Sequence, residues 1–308
     1  MDSTVSIVDV LPGLLGTYGD SGNALILCKR LELCGYKTEL IKTNDPKQLP
    51  TTANLYVIGG GEDSPQTEAA EILRKSKALN LACNNGAVIF GVCAGYQILG
   101  SSFVADEKIQ SGLELIDVYS TRGRTRSIGE VVVESEVFSK NYLLSGFENH
   151  GGVTVLGKGL KPLGKVLLGV GNGSESINLK KSVALQESLI KLKQVKRKFV
   201  NQFNLTGKFG GTLRKTQTIK DVVLKAGGFK NSDFKNSDFG SGKLIFSDGV
   251  VAQKIVGTYM HGPVLARNYK LADFLLSMVV GCEINSPELD KLNTTSEILR
   301  LERLKWFV

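Results

Sequence analysis

Histidine is nearly absent from this chain: only two occur in 308 residues, His150 and His261. Five cysteines are present (Cys28, Cys34, Cys83, Cys93 and Cys282), an odd number with no pair at CxxC spacing. That pattern argues against a disulfide framework and against a zinc site, and it makes a reducing compartment, the cytoplasm, the default. Long apolar runs are missing too. FLLSMVV, from Phe274, is far too short to cross a bilayer. The N-terminal MDSTVSIVDV has an acid at position 2 and no basic stretch before an apolar one, so no secretory signal is expected. There is no GxxxxGK[ST], and GGGEDS is too short and too acidic to cradle phosphates. Neither a metal nor an organic cofactor is expected.

The composition is otherwise that of an ordinary folded protein, with 42% hydrophobic residues and a formal charge of +8. The charge is local. Residues 178–247 hold 15 Lys and Arg against 4 Asp and Glu, and the rest of the chain carries 23 basic and 26 acidic residues. This segment opens with Leu185, Leu189, Leu192, Val195 and Phe199 at helical spacing among lysines, and it ends in the duplication FKNSDFKNSDFG. It reads as a lysine-rich insertion into a compact domain. A solvated excursion, a basic helix against an anionic membrane and a docking surface all fit it. Nucleic acid fits poorly, because no stacking aromatics interleave the basic run.

Before the insertion, strand and helix signals alternate. VSIVDVL, KTELIKT, NLYVIGGG and AVIFGVC read as strands. Helices are predicted over Ser21–Gly35, over Pro65–Leu79 with Ser64 as N-cap, and from Ala94 onward. The pattern predicts an α/β fold, a mostly parallel sheet with helices on both faces. From about Leu113 to Val170, short β-branched runs with turn glycines predict strands at that sheet's edge. GVVAQKIVGTYMHGP resumes the strand pattern, and helices are predicted over Tyr269–Gly281 and Pro287–Trp306. The organisation expected is one domain over residues 1–308, interrupted by the insertion, with a helical extension over residues 284–308. Trp306, near the end, is expected to pack internally.

Cys93 stands where AVIFGVC ends and a helix begins, the edge at which open parallel sheets bind ligands. Gly91 and Gly95 leave room for a sharp turn, and the helix N-terminus favours a thiolate. This has the logic of a nucleophile elbow, with the Ala94 N–H and the glycine turn Gly59-Gly60-Gly61 as candidate oxyanion donors. The other four cysteines read as small buried hydrophobes. A cysteine nucleophile needs a base, and both histidines, in GFENHGG and GTYMHGP, lie in glycine-bounded turns after strands.

GVCAGYQILG resembles the G-x-C-x-G-x-Q motif of class I, triad-type glutamine amidotransferases. LPGLLGTYGDSGN, GFENHGG and GTYMHGP, in that order, narrow the resemblance to the cobyric-acid-synthase-like branch. Within that branch the chain is similar to the glutaminase subunits of lipid II isoglutaminyl synthase, over roughly residues 5–176 and 248–280. The resemblance implies a flavodoxin-like core, Cys93 as nucleophile and His261 as the base that activates it. It places Gln97 in the substrate pocket, Gly60 and Gly61 in the oxyanion hole, Arg126 on the glutamine carboxylate, with Arg122 and Arg124 as the alternatives in a shifted register, and Asn149 and His150 in a turn lining the site. The family histidine motif usually continues as H-x-E, whereas position 263 here is Pro. Either a dyad suffices or another acid serves, with Asp20 the preferred candidate.

The implied substrate is glutamine. The implied partner is a separate ATP-dependent, Mur-ligase-like subunit (the MurT family) that amidates the D-glutamate of lipid II. The location expected is the cytoplasm, with peripheral contact at the inner membrane face through the insertion. A glutaminase for another ligase such as a cobyrinate-type amide synthase, a cysteine peptidase of the same fold and a binding protein without catalysis are the competing readings.

Overall fold

The computed structural model describes residues 4–135, 137–138, 142–173 and 246–305. The basic segment up to residue 245 and Trp306 lie outside them. Strands and helices alternate at first: β1 (Val5–Val10), α1 (Gly22–Leu33), β2 (Thr38–Thr43), β3 (Leu55–Ile58), α2 (Asp63–Ser76), α3 (Ala78–Asn84), β4 (Val88–Val92) and α4 (Ala94–Leu99). A run of strands follows: β5 (Ser102–Ala105), β6 (Lys108–Ser111), β7 (Val118–Ser135), β8 (Tyr142–Leu156), β9 (Gly164–Leu168), β10 (Ser247–Asp248), β11 (Val250–Ala252) and β12 (Ile255–Thr258). The chain closes with α5 (Val264–Arg267), α6 (Tyr269–Val280) and α7 (Pro287–Leu304).

The first sheet has the order β11-β12-β4-β3-β1-β2, and every pairing but β11–β12 is parallel. Its central strands β3 and β4 are buried along their whole length. Such strands need cover on both faces, which is why they read as unbroken apolar runs. Helices α1, α5, α6 and α7 pack together in one layer. On the other side α2 and α4 pack on each other and against β5 of a second sheet.

Two expectations are corrected. The segment after Leu113 does not edge the first sheet. Its strands form a second sheet, ordered β10-β9-β7-β5-β6 with β8 on β7, and its main feature is the long antiparallel ribbon of β7 and β8. Short β-branched runs specify strands but not the partner they pair with. The helix expected over Pro65–Leu79 is instead two helices. Glu62, not Ser64, is the N-cap of α2, so Pro65 falls in the first turn, where its missing N–H leaves no bond unmade. Lys77 then takes a left-handed conformation (φ 54°), closing α2 and opening α3.

The ribbon matters because it is pinned over the carboxyl edge of the first sheet. The His261 N–H donates to the Phe147 carbonyl at 2.7 Å, and Asn268 bonds both the N–H and the carbonyl of Ser145. The buried Arg300 of α7 donates to the Leu143 carbonyl at 2.7 Å. Among the described helices none is long and apolar enough to cross a membrane.

Candidate active site

Parallel pairing sets Thr258 beside Val92 and Ile58 beside Gly91, so β3, β4 and β12 release their chains at one edge. Cys93, immediately beyond β4, has φ 49° and ψ −105°, outside the regions a non-glycine residue ordinarily occupies. Its N–H donates to the Thr258 carbonyl at 2.8 Å and its carbonyl accepts from the Gln97 N–H at 3.0 Å, which holds the strained residue in place. Gly95 is required here: a Cβ would strike the Ile58 carbonyl oxygen. The turn therefore presents the sulfur at the edge of the sheet, 7% exposed.

His261 follows β12 and is 1% exposed. Its Nδ1–H donates to Asp20 Oδ2 at 2.8 Å, across 241 positions of sequence. The same carboxylate is fully buried and accepts the Gly60 N–H at 2.9 Å and, on Oδ1, the Gly262 N–H at 3.0 Å. With three N–H donors on it the carboxylate is held in place, and it fixes the imidazole's tautomer and orientation. Burial opposes charge on this ring, but the negative charge of nearby Cys93 and the bond to Asp20 outweigh it, and the His261 pKa is pushed up to about 10. The other nitrogen, Nε2, is buried and makes no hydrogen bond of ordinary geometry among the described residues. Cys93 raises the pKa of this ring both by its charge and by a side-chain contact.

The oxyanion donors expected at the glycine turn divide. Gly60 spends its N–H on Asp20, and a Cβ there would collide with the His261 ring. It serves the carboxylate and not an oxyanion. The Gly61 and Ala94 N–H groups have no acceptor among the described residues, whereas the Gly95 N–H is spent on the Gly59 carbonyl.

A cleft brings Cys93 together with Gly61, Gln97, Arg126, Asn149 and His150. Gln97 is committed at both ends of its amide: Nε2 donates to the Tyr259 hydroxyl at 2.8 Å and Oε1 accepts from Gln66 at 2.7 Å. It is part of the wall. His150 is 3% exposed and stacks on Tyr259 with ring centroids 3.8 Å apart. Its Nδ1 faces the Gly152 carbonyl at 2.9 Å and its Nε2 the Glu148 carboxylate at 3.4 Å. Both nitrogens are thus turned inward, and His150 reaches neither Asp20 nor an elbow residue by hydrogen bond. Arg126 lies at the rim, its Nε donating to Asn149 Oδ1 at 2.6 Å. Arg122 is also at the rim, 3.5 Å from Asp63. The remaining cysteines vary: Cys28 is buried, Cys34 and Cys83 are half-buried, and Cys282 is exposed, which corrects the buried reading for it.

Several residues at the site were not singled out from sequence. Tyr18, in the quoted TYGDSGN, sets its ring edge-on to His261 at 4.8 Å. Asp248 is fully buried beneath the site and holds Thr258 and the Tyr259 N–H, which anchors the chain leading to His261. Burial raises its pKa to about 6 despite those two bonds. Tyr259 itself sits in the GTYMHGP motif, so the motif was legible while the partners of its tyrosine were not.

The fold and site define an α/β protein with a cysteine, histidine and aspartate converging at a strand-end elbow. The CobB/CobQ-like glutamine amidotransferase domain matches residues 15–188, more than half of the chain, and the protein belongs to that family. It is similar to a protein of Staphylococcus aureus named lipid II isoglutaminyl synthase (glutamine-hydrolyzing) subunit GatD, 26% identical over 88% of this chain and 83% of the relative. The protein of that name from Streptococcus pneumoniae is 32% identical over 56% of this chain and 67% of its own. A probable cobyric acid synthase of Methanococcus maripaludis is 32% identical over 41% of this chain, which is 26% of that longer protein. A solved glutamine amidotransferase superposes with a TM-score of 0.48 at 14% identity, over 89% of this chain and 98% of that one.

Proposed function

We propose that this chain is the glutaminase subunit of a two-subunit amidotransferase. It would release ammonia from glutamine for an ATP-dependent, Mur-ligase-like partner (the MurT family) that amidates D-glutamate of lipid II. The observation that carries the chemistry is the His261–Asp20 bond at the edge where Cys93 is exposed to a cleft. The choice of acceptor rests on the two relatives named GatD, one of which aligns over most of both chains.

The high pKa of His261 favours an imidazolium opposite a Cys93 thiolate. The thiolate attacks the side-chain amide carbon of glutamine, and the Ala94 and Gly61 N–H groups receive the developing oxyanion. As the C–N bond breaks, His261 gives its Nε2 proton to the departing nitrogen and ammonia leaves. Neutral His261 then takes a proton from water, whose oxygen attacks the thioester. Glutamate departs and the thiolate is restored. Asp20 holds the ring through both transfers, Arg126 takes the α-carboxylate through its fork, and Gln97, Asn149 and His150 shape the wall.

Purification of the native protein under mild conditions is expected to bring down a single ATP-dependent ligase of Mur type. A cobyrinate-type ligase in its place would reassign the acceptor and leave the glutaminase chemistry standing. Peripheral membrane contact through residues 178–247 is a further part of the proposal, supported by their charge. Deleting residues 180–246 is expected to abolish pelleting with anionic liposomes, and pelleting that persists unchanged refutes the contact.

A further inference from the structure

Glu62 occupies an N-cap position yet does not cap. The short caps Ser, Thr, Asp and Asn accept a hydrogen bond from the first turn of the helix; the longer Glu62 side chain makes none and lines the cleft. What holds it is a closed ring of four residues. The Arg126 Nε–H donates to Asn149 Oδ1 at 2.6 Å, Asn149 Nδ2 donates to the Tyr18 hydroxyl at 2.7 Å, and that hydroxyl donates to Glu62 Oε1 at 2.8 Å. The ring closes loosely, with Glu62 Oε2 3.6 Å from Arg126 Nη2, beyond hydrogen-bond reach. A guanidinium and a carboxylate are thereby fixed side by side at one rim, each with capacity to spare. Both are about half exposed (45% and 54%), so their mutual attraction is weak and rearranges cheaply.

An amino-acid head group carries the complementary pair of charges, and the same cleft reaches Cys93. Asp63, the neighbouring acid, is otherwise engaged: it accepts the Asp106 N–H at 3.1 Å and faces Arg122. We propose that Glu62, aimed by Tyr18, receives the α-ammonium of the substrate, and that with Arg126 it restricts hydrolysis to free glutamine. This rests on the glutaminase reading above. Tyr18 thus joins two tasks, since its ring also packs on His261. A peptide-bound glutamine, or an analogue lacking the amino group, leaves the Glu62 carboxylate facing no cation, and a site built for a polar contact discriminates strongly against such ligands.

The test compares L-glutamine with its deamino analogue, glutaric acid monoamide, on the full-length chain. The wild type is expected to prefer glutamine by about 10²-fold in kcat/KM. In Glu62→Gln the preference should collapse to within about threefold, with the loss on glutamine carried by KM and not by kcat. Tyr18→Phe keeps the ring on His261 but frees the carboxylate, and it should retain roughly a tenfold preference. If Glu62→Gln lowers the rate on both substrates equally, or keeps the full preference, the inference is overturned while the glutaminase reading stands. A wild type that releases ammonia from neither substrate overturns both.

Discussion

Cys93→Ala is expected to eliminate ammonia release from glutamine, with a fall in kcat of roughly 10⁴-fold or more, because no other group at the elbow can form the thioester. Full activity in this variant would end the assignment. The same substitution has a second, independent consequence. Burial alone would push the His261 pKa down, and the Cys93 charge is the largest influence holding it near 10. Removing the sulfur should therefore drop the pKa toward the ordinary histidine range, with Asp20 retaining part of the shift. Only two histidines exist, so their ring-proton resonances can be followed by NMR without crowding. A His261 titration unmoved by Cys93→Ala would show that the two groups do not interact. The linkage follows in sign. A raised histidine pKa contributes stability that is complete below its unfolded value of 6.5 and drains away as pH rises through about 10. Activity that depends on the imidazolium proton should fall over the same alkaline limb.

Asp20→Asn should be nearly as damaging, for a different reason. The carboxylate accepts from His261 Nδ1, Gly60 and Gly262 at once. An amide of the same shape must offer an NH₂ to one of these donors. If it meets the ring, the imidazole is held with a bare Nδ1 and its proton on Nε2, which then has no lone pair for the proton of an attacking water. If it meets a backbone N–H, two donors confront each other in a buried site, at a penalty of about 1–3 kcal/mol. The expected result is a loss of roughly 10²- to 10⁴-fold in kcat, with KM for glutamine little changed and the alkaline limb moved to lower pH. A KM effect with kcat intact would mean that Asp20 shapes the pocket and does not orient the base.

The elbow was the most legible part of the site because its causes are local. Gly91, Cys93 and Gly95 lie within five positions, and the strained turn follows from their spacing and the apolar run before them. Arg126, Asn149 and Gln97 were also readable as residue types, and the cleft gathers all three. Gly60 shows the opposite case. A glycine turn at a strand end signals open backbone donors, but whether one amide faces solvent or a carboxylate 40 positions earlier is a tertiary matter. The ribbon of β7 and β8 was read as an edge for the same reason, since alternation and turn glycines specify strands and leave their partners open.

By itself, the sequence determined the alternation of strand and helix and the cysteine at the end of a buried strand, both set by interactions between near neighbours, and that alternation called for a parallel sheet without fixing its strand order. The tertiary structure alone decided that Asp20 and His261 bond across 241 positions, that His150 turns inward, and that Glu62 faces Arg126 through Tyr18. The physical reason is strand order. The sheet places β1, β3, β4 and β12 in register at one edge, so side chains far apart in sequence meet through backbone pairing that no local pattern encodes.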